Sequence, residues 1–127
     1  MEFEKDYVMR LVKEIARLIA FLITEKKDEE EFGDERLDTS LDGLYGLIIR
    51  LADNGKINEA ENLLFNQLDK NDIEQLYIAI AFYEHINEYA DEFLNQHSYD
   101  RAEIIEGLND LAKEYGISEK VLSLLTY

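Results

Sequence analysis

Residues 51–64 read Leu-Ala-Asp-Asn-Gly-Lys-Ile-Asn-Glu-Ala-Glu-Asn-Leu-Leu, and no other stretch constrains the fold as tightly. An apolar helical period stops at Gly55, and a second starts after Asn58. Gly enters the left-handed conformation that closes a helix C-terminus with little steric cost. Asn58 and Glu61 have the spacing of a capping box, with Asn in place of the usual Ser or Thr. The pattern predicts two helices joined by a tight turn. The rest of the chain agrees, because its 127 residues include no Pro and only six Gly. Helix interiors exclude Pro, which removes a hydrogen-bond donor and clashes with the preceding turn. The expected fold class is all-α, with five to six helices in antiparallel, repeat-like hairpins and a long N-terminal helix packed on them.

The length fits one domain, and 46% hydrophobic residues are enough for a core. The chain divides into an N-terminal helix at 6–26, a charged linker at 27–36 and a helical body at 37–127. The absence of Cys excludes disulfides, thiolate zinc sites and Cys nucleophiles, and it suits a reducing compartment. The acidic start, Glu2 and Glu4, does not have the form of a secretory signal. The longest apolar run, 18–23, is six residues, whereas a membrane span needs about 20. The expected location is cytoplasmic, with no membrane span.

The net charge is −16 and unevenly placed. Residues 1–24 carry four basic and four acidic side chains, while 25–127 carry nine basic and 25 acidic ones. Such a surface repels nucleic-acid phosphate and anionic lipid, so direct nucleic-acid binding is not expected. It promotes solubility in any case. It also suits a basic protein partner, or a mimic of nucleic-acid charge.

Apolar residues from Tyr7 to Ile23 recur at three- and four-residue spacing. The stripe widens at Leu18, Ile19, Leu22 and Ile23, beyond what one neighbour covers. These four are the expected contact of a homodimer, the commonest symmetric assembly. A second helix is predicted over 41–54, capped by Asp38, Thr39 or Ser40, and a third over 59–69. A long fourth helix over 73–95 carries two apolar rows and should be the most buried. A fifth runs over 101–115, with Asp100 and Glu103 at its start and Gly116 at its end. A short last helix follows Ser118. A weak 60-residue repeat pairs Leu51-Ala52 with Leu111-Ala112 and Ile57 with Ile117.

Residues 44–68 resemble a tetratricopeptide repeat. Its turn Gly falls on Gly55, its small packing residue on Ala60, and large apolar positions on Leu44, Leu47, Leu51, Leu64 and Leu68. Ile48 and Gln67 stand where the repeat has small residues, which implies looser or differently angled packing. The opening, Asp6-Tyr7-Val8-Met9-Arg10-Leu11-Val12, resembles that of an uncharacterised family of small helical proteins from low-GC Gram-positive bacteria. That resemblance implies a charged linker and a repeat-like body, and no activity.

Several chemistries fail on their residues. Asn54, Gly55, Ile57 and Glu61 match the second half of a calcium loop, but the first half would place Arg50 and Ala52 where carboxylates are needed. The loop from Asp38 ends at Ile49 instead of a bidentate Glu. His85, with Glu84, Glu88 and Glu92, reads as a solvated face, because no His-Glu-x-x-His or Glu-x-x-His pattern is present. Neither a phosphate-binding Gly loop nor a Gly-x-Ser-x-Gly elbow occurs. No catalytic residue, metal ligand or cofactor site is assigned.

The candidate partner-binding residues are Asp42, Tyr45, Ile49 and Asp53, which share a face of the second helix. In repeat-like hairpins this helix lines the concave groove. An aromatic among carboxylates there suits a basic segment. The expected function is a non-enzymatic cytoplasmic protein–protein interaction module. The competing readings are an acidic regulator or charge mimic that binds a basic protein, and an enzyme with an unrecognised site.

Overall fold

The computed structural model describes residues 3–26 and 43–117, with side chains over 6–22 and 43–117. Within them lie six helices and no strand: α1 (Phe3–Lys26), α2 (Leu44–Asp53), α3 (Ile57–Gln67), α4 (Ile73–Ile86), α5 (Asp91–Gln96) and α6 (Arg101–Glu114). The all-α expectation holds. The linker at 27–36, the caps at 38–40, Asp42 and the helix after Ser118 lie outside the described residues. No helix among them is long and apolar enough to cross a membrane.

One apolar core draws side chains from all six helices. Helix α4 lies at its centre, against α1, α2 and α6. Both of its apolar rows are enclosed. Leu76, Ile80 and Tyr83 are buried from one, and Ile78, Phe82 and Ile86 from the other. Helix α1 covers α4 and α6 with Leu11, Val12, Ile15, Ala16 and Ile19. Ile19 is therefore 0% exposed within its own chain and has no surface to offer a second copy. Leu18 and Leu22 are half-buried against the core, and the side chain of Ile23 lies outside the described residues.

The predicted fourth helix is two helices. Helix α4 stops at Ile86, and α5 starts only at Asp91. No Pro or Gly interrupts the sequence there. The break is held by distant partners. The buried Asn87 donates from Nδ2 to the Met9 carbonyl of α1 at 3.2 Å. The Arg101 guanidinium of α6 donates to the Asn87 carbonyl at 2.7 Å and to the Tyr89 carbonyl at 2.6 Å. It also reaches Asn87 Oδ1 at 3.2 Å and Asp91 Oδ1 at 3.0 Å. Carbonyls that lose their helical partners are thus satisfied by one buried cation.

The helix ends follow simple chemistry. At α2, Lys56 N–H returns to the Leu51 carbonyl and Gly55 N–H to the Ala52 carbonyl, with Gly55 at φ +88°. At α6, Ile117 N–H returns to Ala112 and Gly116 N–H to Lys113, with Gly116 also at φ +88°. Both are Schellman closures. The matching glycines are offset by one residue from the 60-residue alignment, so that repeat does not superimpose the two turns. Helix α3 begins two residues earlier than predicted, at Ile57 with Lys56 as its cap residue. Asn58 therefore lies inside the helix and donates to the Ser98 carbonyl at 3.4 Å instead of capping. Helix α2 begins after Gly43, without a side-chain cap. Asp100 caps α6 through the Glu103 amide, as expected.

In the hairpin of α2 and α3, Ala60 and Leu64 are buried, and Leu44, Leu51 and Leu68 are half-buried. Leu47 is 40% exposed, and Ile48 is fully buried. The larger residue at the repeat's small position is thus the one that packs inward.

Helix α5 closes in the same way with Ser98, a non-Gly residue at φ +61°, between the Tyr99-to-Leu94 and Ser98-to-Asn95 bonds. Ser98 is exposed. L-residues resist this conformation and Gly does not. Ser98→Gly is expected to stabilise the fold by about 0.5–1 kcal/mol after the unfolded-chain entropy of Gly is allowed for. A lower urea midpoint for the variant would contradict this.

Candidate functional site

Tyr45 and Asp53 share the face of α2 that turns toward α4 and the segment that follows it. Asp53 sits in the last turn of α2, next to the Gly55 closure. Its Oδ1 accepts hydrogen bonds from His85 Nε2 at 2.9 Å and from the Tyr89 hydroxyl at 2.5 Å. The carboxylate side chain remains half exposed, at 52%. Burial alone would raise the Asp53 pKa; the bonds from Tyr89 and His85, with the charge of His85, outweigh it and hold the acid below its ordinary range. Tyr45 is half-buried, and its hydroxyl pKa is raised by burial and by the negative charges of Asp53 and Glu84. Tyr89 is raised by burial and by donating to Asp53.

A ladder of rings continues from this point. His85 meets Tyr89 edge-on at a centroid distance of 5.4 Å. Tyr89 packs on Phe93 at 4.7 Å, and Phe93 on His97 at 4.6 Å. Four-residue spacing brings ring on ring along a helix. Here the spacing carries across the break between α4 and α5. His97 Nδ1–H donates to the Phe93 carbonyl at 2.8 Å, which sets the ring over Gly55. A Cβ at position 55 would come within 3.0 Å of His97 Cε1 and nearer still to Nε2. All four rings are partly exposed. Both histidines of the chain belong to this ladder.

The helical period puts Tyr45 and Asp53 on one face, and the structure adds the partners of Asp53. Sequence spacing alone puts His85 on a solvated face. It pairs instead with Asp53, while Glu88 pairs with Lys13 of α1 at 3.8 Å. The missed signal was the four-residue spacing of His85, Tyr89, Phe93 and His97. Ile49 is half-buried against the core between Tyr45 and Asp53 on α2. Asp42 lies outside the described residues.

A second acidic region lies between α3 and α6. Glu61, Glu103, Glu106 and Asp110 line a pocket of about 260 Å³ with Asn62, Phe65 and Gly107. Glu61 is the calcium-loop lookalike residue, and it turns into the protein. It accepts from the Tyr83 hydroxyl in a short bond and from the Tyr99 hydroxyl at 3.2 Å. Burial raises its pKa; the two tyrosine bonds lower it, but the charges of Glu103 and Asp110 add to the rise. No grouping of three or more His, Cys, Asp or Glu suited to a metal occurs among the described residues.

Glu61 and Asp53 predict a two-part pH profile. The raised pKa of Glu61 means that the folded state holds this proton more tightly than the unfolded chain. Stability should therefore increase as pH falls from the folded value toward the ordinary Glu value. The lowered pKa of Asp53 acts in the opposite sense. Its contribution is present above the ordinary Asp value and is lost at more acidic pH, through the folded value. Urea midpoints should rise as the pH falls from neutral toward the ordinary Glu value, helped by reduced self-repulsion, and fall in stronger acid. Glu61→Gln should flatten the rise. An unchanged slope in that variant would remove Glu61 as a cause.

An all-helical protein with an acidic, ring-lined face on one side of its first hairpin is the class these features define. The chain belongs to DUF6483, a family of unknown function, whose family model matches residues 2–116. No curated protein and no solved structure matches the chain.

Proposed function

We propose that this chain is a non-enzymatic, cytoplasmic protein–protein interaction module that holds a basic segment of a partner against the α2 face and the ring ladder. The hairpin of α2 and α3 serves as the repeat-like element that presents the face. The observation supporting the reading is the convergence of Tyr45, Asp53 and Tyr89 in one half-exposed cluster, with Glu84 close enough to perturb Tyr45. Aromatic faces attract Lys and Arg, and neighbouring carboxylates add direction. A chain of net charge −16 draws such partners from a distance.

The test is a titration of isotopically labelled protein with the capped tri-arginine peptide, read residue by residue by NMR. Shifts should concentrate at Tyr45, Asp53, Glu84 and Tyr89, and should weaken in Asp53→Asn and Tyr45→Ala. Equal shifts over every acidic residue would overturn the reading. Affinity capture with mass spectrometry, comparing wild type with the same two variants, then identifies the partner.

The pocket of Glu61, Glu103, Glu106 and Asp110 favours a second reading, the acidic regulator or nucleic-acid-charge mimic. In that case DNA would compete with the chain for its basic partner. Glu103→Gln with Glu106→Gln would then weaken binding more than Asp53→Asn.

A further inference from the structure

We infer that Asp53 is the anchor for an arginine of the basic partner and that His85 is a built-in competitor for it. The inference rests on the interaction reading above and assigns its regulation. A guanidinium seeks a carboxylate in a fork geometry and stacks on aromatic faces. Asp53 is half exposed at the end of α2, and the Tyr89 ring beside it continues into Phe93. His85 Nε2 already occupies Asp53 Oδ1 at 2.9 Å. The imidazole is one-third exposed and is held in place by its edge-on contact with Tyr89. Without the imidazole, Oδ1 keeps its bond from the Tyr89 hydroxyl.

Imidazole is the side chain that gains a positive charge in mildly acidic solution. Charged, it becomes a local cation on the partner's anchor; neutral, it is a weaker competitor. From α2 it faces Asp53, and on its own helix Glu84 precedes it. Glu88, one turn further on, is paired with Lys13 of α1. From α6, Arg101 is directed at the carbonyls of Asn87 and Tyr89 and at Asp91. Binding of a basic segment should therefore weaken on acidification, through His85 in particular.

The experiment uses the full chain and the capped tri-arginine peptide, with affinities from NMR titration at pH 8 and pH 5.5. His85→Phe keeps a ring on Tyr89 and removes the competing N–H. The wild type should lose affinity on acidification. His85→Phe should lose less, and at pH 5.5 it should bind up to about fivefold more tightly than wild type, the scale of an exposed ion pair. An equal pH dependence in wild type and His85→Phe would overturn the competitor role and leave the binding reading standing. No localised shift at Asp53 and Tyr89 at either pH would overturn both. Circular dichroism of each variant at both pH values ensures that only folded protein is compared. If His85→Phe does not fold, His85→Gln is used with the same two outcomes, because a neutral amide also lacks the charge.

Discussion

Arg101→Ala is expected to destabilise the protein by about 3 kcal/mol or more, the largest effect of any single charged residue in the described structure. Arg101 is 8% exposed and holds two backbone carbonyls, one amide oxygen and one carboxylate. Truncation leaves the buried Asn87 carbonyl without its partner, whereas the half-exposed Asp91 can return to water. The cost is therefore set by the backbone groups more than by the ion pair. Arg101→Lys keeps the charge but has one nitrogen for a fork of acceptors, so it should recover only a minor part. Urea denaturation gives the magnitude, and amide exchange gives the location. Protection should fall first in α5 and at Tyr89, and the ring ladder should lose its order with them. A loss below about 1 kcal/mol would mean that the break between α4 and α5 is held by other contacts.

Gly107→Ala is expected to cost about 2–3 kcal/mol, at the upper end for overpacking. A Cβ there would come within 2.5 Å of the Tyr83 Cζ and closer to its hydroxyl. Tyr83 cannot retreat. It is fully buried, it meets Phe82 edge-on at 5.2 Å, and its hydroxyl is bonded to Glu61. On a solvated helix the same substitution would stabilise, because Ala is the better helix former. The sign of the change thus reports the ring. In a Tyr83→Leu background the penalty should shrink markedly, since residues in contact couple. Additive losses in the double variant would show that the strain lies elsewhere. The Gly107 variant should also disturb Glu61 and so alter the stabilisation gained as the pH falls from neutral.

Helix content and most helix ends were legible in the chain because they depend on near neighbours. The period of three and four, the absence of Pro, the capping Asp100 and the closing Gly55 and Gly116 all act within a few residues. The same local logic placed Tyr45 and Asp53 on one face of α2. The break between α4 and α5 was not legible, since an unbroken helix satisfies the local pattern over 73–95. Only the Met9 carbonyl of α1 and Arg101 of α6, both far away in sequence, make the interruption favourable. His85 likewise carries no local sign of its partner, because Asp53 lies 32 residues earlier. Glu61 was legible as a cap and proved to be the acceptor of two tyrosines from α4 and the turn before α6. Short-range sterics and backbone hydrogen bonding decide which residues become helix. Which polar groups meet between helices depends on chain segments that only the packed core brings together.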